Sequence, residues 1–207
     1  MATQKQVQDR AAPMNPGVLE DVVQQALAEA RRAGADAAEA QAAMGDGLQV
    51  TARLGDVETV ERTRDKELAV TVYLGQRSGS ASTSDFRPEA IRETVRAACT
   101  IARYTAADPC SGLADPARLA RVIPDLDLYH PWDMDAERAI GLAIECEAAA
   151  RGADRRIANS EGASVSSHQG LDVYGNSLGF MGARRGTRHG LSCAVIASDG
   201  DGMQRDY

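Results

Sequence analysis

Three histidines and four cysteines, with scattered carboxylates and serines, are the residues of this 207-residue chain whose side chains could do chemistry. A helix-borne zinc site needs two histidines one turn apart with a glutamate between them, because only that spacing aims two imidazoles at one ion. His130, His168 and His189 stand far apart in sequence, in a Pro-rich stretch, a Ser-rich strand and beside Gly190. A serine nucleophile would sit in G-x-S-x-G between a strand and a helix, and neither Gly79-Ser80-Ala81-Ser82 nor Gly162-Ala163-Ser164-Val165-Ser166 closes with the second glycine. Asp199-Gly200-Asp201-Gly202 lacks the further oxygens and terminal glutamate of a calcium loop and reads as a turn. Gly175, Gly179 and Gly182 are misplaced for a dinucleotide fingerprint, and Glu145 and Glu147 read as a solvated helix face. The residues alone therefore give no catalytic set and no metal ligands.

Cys99, Cys110, Cys146 and Cys193 are widely spaced, with no C-x-x-C pair, and read as reduced thiols. The formal charge is -7 and no Lys/Arg run offsets it, which argues against a nucleic-acid partner held by phosphate neutralisation. No stretch approaches the roughly eighteen continuous apolar residues that span a bilayer, and the N-terminus has no apolar signal core, so no membrane partner and a cytoplasmic location are expected. With 43% hydrophobic residues, the chain has enough apolar side chains for a core without disulfides or a structural metal.

The elements that would position any site follow from periodicity. Val18, Leu19, Val22, Val23, Ala26, Leu27 and Ala30 recur at helical spacing, and Gly34 ends the pattern. From Ala37 the period becomes two, with Leu48, Val50, Ala52 and Leu54 on one face. Gly45-Asp46-Gly47 and Gly55-Asp56 read as hairpin turns. Strands are expected at 57–63, at 68–74 after a polar turn Arg64-Asp65-Lys66, and at 78–84. Pro88 opens a second helix with Ile91, Val95, Ala98, Ile101 and Ala102 inward and Asp85 as its candidate cap. A third helix covers 135–151, with Ile140, Ala143, Ile144 and Ala148 inward and Gly152 as its stop. Strands follow at 157–167, 171–174, 178–184 and 191–197, separated by Gly170, Gly175-Asn176 and Gly186.

Gly34-Ala35-Asp36 after the first helix recurs as Gly152-Ala153-Asp154 after the third, and strands follow both. The expected fold is α+β: antiparallel sheets with helices packed on one face, in two helix-plus-β-meander units. The expected organisation is a flexible leader over 1–16, then a unit over 17–105 of a helix, about four antiparallel strands and a helix. A Pro-rich connector over 106–134, with prolines at 109, 116, 124 and 131, lies against the core. A second unit over 135–207 breaks off before a C-terminal domain, since Met203 to Tyr207 reads as a strand just beginning.

Several segments together resemble the TldD/PmbA family, in its PmbA (TldE) branch. They are Asp65-Lys66-Glu67-Leu68-Ala69-Val70, Gly79-Ser80-Ala81-Ser82-Thr83-Ser84-Asp85, Asp108-Pro109 to Gly112-Leu113-Ala114-Asp115, Pro124-Asp125-Leu126-Asp127-Leu128-Tyr129, Asn159-Ser160-Glu161-Gly162, and above all the string from Asp199 to Tyr207. The resemblance implies an N-terminal α+β domain followed by a larger β-rich one, so this chain would be the N-terminal half of a subunit. It also implies a TldD-type partner chain in a cytosolic heterodimeric metalloprotease that degrades or processes unfolded or extended peptides, with early links to a modulator of DNA gyrase. The family's zinc-type metal belongs to the TldD-type chain, on an H-E-x-x-x-H helix. No position here matches that motif, so no cofactor is expected in this chain.

Two readings stay open: a non-catalytic PmbA/TldE-like subunit, or a free-standing α+β module for peptide binding or assembly. Under the first, an exposed strand edge binds peptide by adding it as a further strand, and Arg77, Ser78, Ser80, Ser82 and Ser84 are the candidate contacts.

Overall fold

The computed structural model describes residues 14–207. The leader expected over 1–16 falls mostly outside them. Asn15 caps the first helix, α1 (Pro16–Arg32), its side chain accepting the Gly17 N–H, and the proline at the first helical position has no N–H to leave unsatisfied. Leu19, Val22, Val23, Ala26 and Ala30 form its buried stripe.

β1 (Ala37–Arg53), β2 (Asp56–Leu74) and β3 (Arg77–Thr83) follow, then α2 (Pro88–Tyr104). A single 3-10 turn at Pro116–Arg118 interrupts the connector before α3 (Ala136–Gly152), β4 (Ile157–Asn176), β5 (Met181–Asp199) and β6 (Gly202–Asp206). All six strands join one antiparallel sheet in the order β3-β2-β1-β4-β5-β6. The fold is α+β as expected, and the two helix-plus-meander units meet edge to edge through β1 and β4. The order is symmetric about that pair: β1, β2 and β3 correspond to β4, β5 and β6, each trio following a helix. The sequence repeat is thus an approximate two-fold in the sheet.

The strands are far longer than the sequence suggested. Gly45-Asp46-Gly47, Arg64-Asp65-Lys66, Gly170 and Gly186 are not turns; all lie inside continuous strands. The reason is register. Gly45 pairs with Asp65 on one side and Gly170 on the other, and Gly170 pairs in turn with Gly186. Three glycines therefore form a row across β1, β4 and β5, its ladder hydrogen bonds unbroken. The row divides two cores. One joins α1 and α2 to Ala38, Ala40, Ala42, Leu68, Val70, Val72, Leu171 and Val173; the other joins α3 to Leu48, Val50, Ala52 and Val165.

Inward faces also differ in detail. Ile101 on α2 is exposed, and Cys99 is buried instead. On α3 the buried stripe is Ala139, Ala143 and Glu147, while Ala148 is exposed. Asp85 does not cap α2: its carboxylate accepts the Arg87 N–H and pairs with the Arg87 guanidinium, which holds it down at about 2. The connector does lie against the body, the Leu128 carbonyl accepting the Thr187 N–H of β5 at 2.9 Å. Asp199-Gly200-Asp201-Gly202 is the two-residue hairpin turn between β5 and β6, as the sequence suggested. No helix among the described residues is long and apolar enough to cross a membrane.

Candidate peptide-binding edge

β3 pairs with β2 alone and ends the sheet, so one side of its backbone has no strand partner among the described residues. Such an edge offers a row of N–H and C=O groups to an extended chain. Its inner face is fixed by Gly79, where a Cβ would stand 2.2 Å from the Ala98 carbonyl oxygen and 2.4 Å from the Ala102 nitrogen of α2. Only a residue with no side chain lets helix and strand approach this closely. Because side chains alternate along a strand, Ser78, Ser80 and Ser82 point to the opposite face, away from α2.

There the Ser80 hydroxyl lies 2.8 Å from that of Thr71, its direct partner on β2. Arg77 is turned back to the C-terminal end of α2, donating to the Arg103 carbonyl at 2.8 Å. Of the five candidate contacts, Arg77, Ser78, Ser80 and Ser82 belong to β3, and Ser84 lies one residue past its end. Ser82 and Ser84 border a groove of about 580 Å³ shared with Ala43, Met44 and Gly45 of β1 and Asp65, Lys66 and Glu67 of β2. The Lys66 ammonium sits 5.1 Å from the Phe86 ring centre, a cation–π contact that steadies the chain as it leaves β3. The arrangement supplies main-chain hydrogen bonding, hydroxyls and a carboxylate-lined groove. That is binding chemistry: nothing in it pairs a nucleophile with a base.

The face away from the helices carries a brace that the sequence reading missed. Glu39 on β1 accepts the Tyr73 hydroxyl of β2 at 2.8 Å with Oε1 and the Tyr174 hydroxyl of β4 at 2.6 Å with Oε2. Burial, then the Glu39 carboxylate, push Tyr73 up to about 12 and raise Tyr174 as well. One carboxylate thereby ties three strands. The signal in the sequence, a glutamate in an alanine-rich strand, becomes legible only once the register is known.

Glu147 was likewise misread. It is 1% exposed, and its two oxygens accept the backbone N–H groups of Leu54 and Gly55 in the β1–β2 turn. Burial raises its pKa, but the Ser160 hydroxyl, those two N–H groups and the Arg151 charge together hold it below the ordinary glutamate value. Ser160 itself belongs to a β-bulge: the β4–β5 register shifts between Ser160 and Gly162, whose φ of +103° suits glycine. Glu161, in the bulge, pairs with Arg205 of β6 at 2.7 Å. Two segments quoted for the family resemblance, Asn159 to Gly162 and the C-terminal string, are therefore in contact.

The histidines are less isolated than their spacing suggested. The His189 Nε2 lies 2.9 Å from the His130 carbonyl oxygen, and the Trp132 ring meets His189 edge-on at 5.3 Å. His168 stands apart, over Gly47. Among the described residues no three His, Cys, Asp or Glu side chains cluster as a metal site would require.

Comparison with known proteins places this architecture. Residues 38–102 match the family model for PmbA/TldA metallopeptidase domain 1, and residues 129–207 match that for the PmbA/TldA metallopeptidase central domain. The chain is 47% identical over 190 residues to Metalloprotease PmbA of Escherichia coli O157:H7, covering 92% of this chain and 42% of that protein. It is also 47% identical over 189 residues to the Metalloprotease PmbA homolog of Haemophilus influenzae, covering 91% and 42%. Among solved structures, a candidate modulator of DNA gyrase from Bacteroides thetaiotaomicron superposes with a TM-score of 0.80 at 22% identity, over 90% of this chain and 42% of that one. TldE from Thermococcus kodakarensis does so at 0.65 and 14%, over 90% and 40%. These two likenesses bear on the fold alone. The chain spans about two fifths of the length of the curated relatives it matches. With both family domains present in order on one continuous sheet, the chain belongs to the PmbA/TldD metallopeptidase family.

Proposed function

We propose that this chain acts as the N-terminal part of a PmbA/TldE-type subunit, pairing with a TldD-type chain that carries the zinc-type metal, and that it contributes a binding edge for unfolded peptide rather than catalytic groups. The observation that carries the reading is the β3 edge, unpaired on one side and faced with serines, in a chain 47% identical to a protein named a metalloprotease. An extended peptide laid along β3 gains affinity from main-chain hydrogen bonds, which demand little of its sequence. The groove beside Ser82 and Ser84, bordered by Asp65 and Glu67, then favours side chains bearing positive charge.

The test is peptide affinity in two proline variants. Successive residues of a strand point their N–H groups to opposite sides, so of Ser80→Pro and Ala81→Pro one removes an outward donor and the other breaks the ladder to β2. The variant that keeps its circular dichroism spectrum is the informative one. It is expected to bind a labelled unfolded casein peptide at least about tenfold more weakly; wild-type affinity in that folded variant overturns the edge. Mixing the chain with a TldD-type subunit and following its elution by light scattering tests the partnership separately. Casein hydrolysis by this chain alone, with zinc added, would contradict its non-catalytic part.

A further inference from the structure

Ser167 of β4 and His189 of β5 stand directly opposite one another, and the Ser167 hydroxyl oxygen lies 3.0 Å from the His189 Nδ1. The far side of the ring is engaged too, with Nε2 2.9 Å from the His130 carbonyl oxygen. A carbonyl oxygen can only accept, so in the neutral imidazole the proton sits on Nε2. That fixes the tautomer: Nδ1 keeps its lone pair, and the Ser167 hydroxyl donates to it. The orienting carbonyl is itself anchored, because the Thr187 hydroxyl oxygen accepts the His130 N–H at 3.0 Å. The Trp132 ring packs edge-on against the imidazole at 5.3 Å. A hydroxyl, a base within hydrogen-bond reach and a third group that orients the base are the parts of an activated serine nucleophile. Ser167 is half-buried and His189 exposed, so a small molecule reaches the pair from solvent.

We propose that Ser167 is an acyl-acceptor site, which takes an acyl group from activated esters with His189 as its general base. Ser167 Oγ attacks the carbonyl carbon of the ester while its proton passes to His189 Nδ1. The bond from that carbon to the leaving oxygen then breaks, and the leaving alcohol departs with the electron pair and takes the proton from His189. The acyl group ends on Ser167 and the imidazole is restored. The donor has to be activated for a reason that lies in the sheet. At this point β4 is paired on both sides, with Leu48 of β1 and with His189 of β5, so ladder hydrogen bonds occupy the strand N–H groups that would otherwise steady a developing oxyanion. Leaving groups that are weak bases depart without that help, and the amine of a peptide bond does not. The same lack slows hydrolysis of the acyl-serine, so the group stays on the chain as a modification, apart from any binding of peptide at β3.

The experiment treats the native chain briefly with p-nitrophenyl acetate at neutral pH and locates the acetyl groups by fragmentation in the mass spectrometer. Ser164, on the same strand with its hydroxyl 3.0 Å from that of Thr51, is the internal reference. Ser167 is expected to gain its acetyl group at least about tenfold faster than Ser164, since a positioned base is worth roughly 10²–10⁴ in rate. His189→Gln keeps an N–H donor for the His130 carbonyl and removes the base. It is expected to bring Ser167 down to the Ser164 rate with an unchanged circular dichroism spectrum. The comparison of the two serines is made in the native chain, so it does not depend on any variant folding. Equal acetylation of Ser164 and Ser167 there overturns the proposal. So does the native rate at Ser167 in folded His189→Gln, or an acetyl group that stays on His189 in place of Ser167.

Discussion

Glu147 accepts the backbone N–H of Leu54 at 2.7 Å across 93 residues of chain, and that of Gly55 at 2.9 Å. Leu54 has a φ of +54° and Gly55 one of +85°, as a two-residue turn of the hairpin-favouring kind requires at both positions. Leucine is a poor residue for that conformation, and no local side chain supports it. The support comes instead from α3, which buries a carboxylate against both turn amides. The end of the β1–β2 hairpin is therefore fixed by a helix from the other half of the repeat.

Replacing Glu147 by alanine strands two amide donors in a site the residue occupies at 1% exposure, and should cost about 2–4 kcal/mol. Glu147→Gln keeps one acceptor oxygen and should cost roughly half as much. The pH dependence has a definite sign. A carboxylate held below its unfolded pKa, near about 4.3, adds stability above that value and gives it up as the pH falls through the lower folded value. Urea midpoints of the wild type and Glu147→Gln should therefore converge as the pH is lowered from neutrality to about 3, and a constant gap would count against the carboxylate's role.

At Gly79 the obstacle to a side chain is backbone, the Ala98 carbonyl and the Ala102 nitrogen, which cannot rotate away. Gly79→Ala should lift α2 from β3 at a cost of about 2–3 kcal/mol, the range for overpacking a close contact. Chemical denaturation measures it. Ser80→Ala, one residue on and facing the open side, should stay within about 0.5 kcal/mol, as exposed sites do.

These residues also mark how far the sequence was legible. The three helices and the α+β class follow from periodicity, because helix stripes and a proline at the first helical position, such as Pro88, act locally. The strands were cut too short because Gly45, Gly170 and Gly186 look like turns singly and form a paired row only when three strands stand side by side. Glu147 looks like one more charged residue on an exposed helix face until the turn it holds is known. The segment offered as a candidate edge falls on β3, but that no described strand pairs beyond it is a fact of sheet order, which no local pattern encodes.

Tyr73 offers a spectroscopic check on the three-strand brace. Of the five tyrosines, it should lose its proton at about 12, and the absorbance titration should show that late step. In Glu39→Gln the neighbouring charge is gone while burial stays, so the step should move toward 10 without reaching it. A group raised in the folded state supports folding below its unfolded pKa and withdraws that support as the pH rises toward the folded value, so alkaline unfolding should begin between pH 10 and about 12. Tyr73→Phe should cost about 1–2 kcal/mol, since the hydrogen bond it removes ends on a carboxylate.

The turn residue itself is the place to gain stability. A non-glycine residue at φ near +54° carries strain of about 1 kcal/mol, and Leu54 has half its side chain in solvent, so little packing compensates. Asparagine tolerates that backbone conformation, and Asn-Gly is the preferred pair for such a turn. Leu54→Asn keeps the amide that Glu147 holds. It should therefore raise the unfolding midpoint by about 2–4 °C. Calorimetry reads the change directly. A lower midpoint would mean that the Leu54 side chain, not the backbone, is what the turn needs.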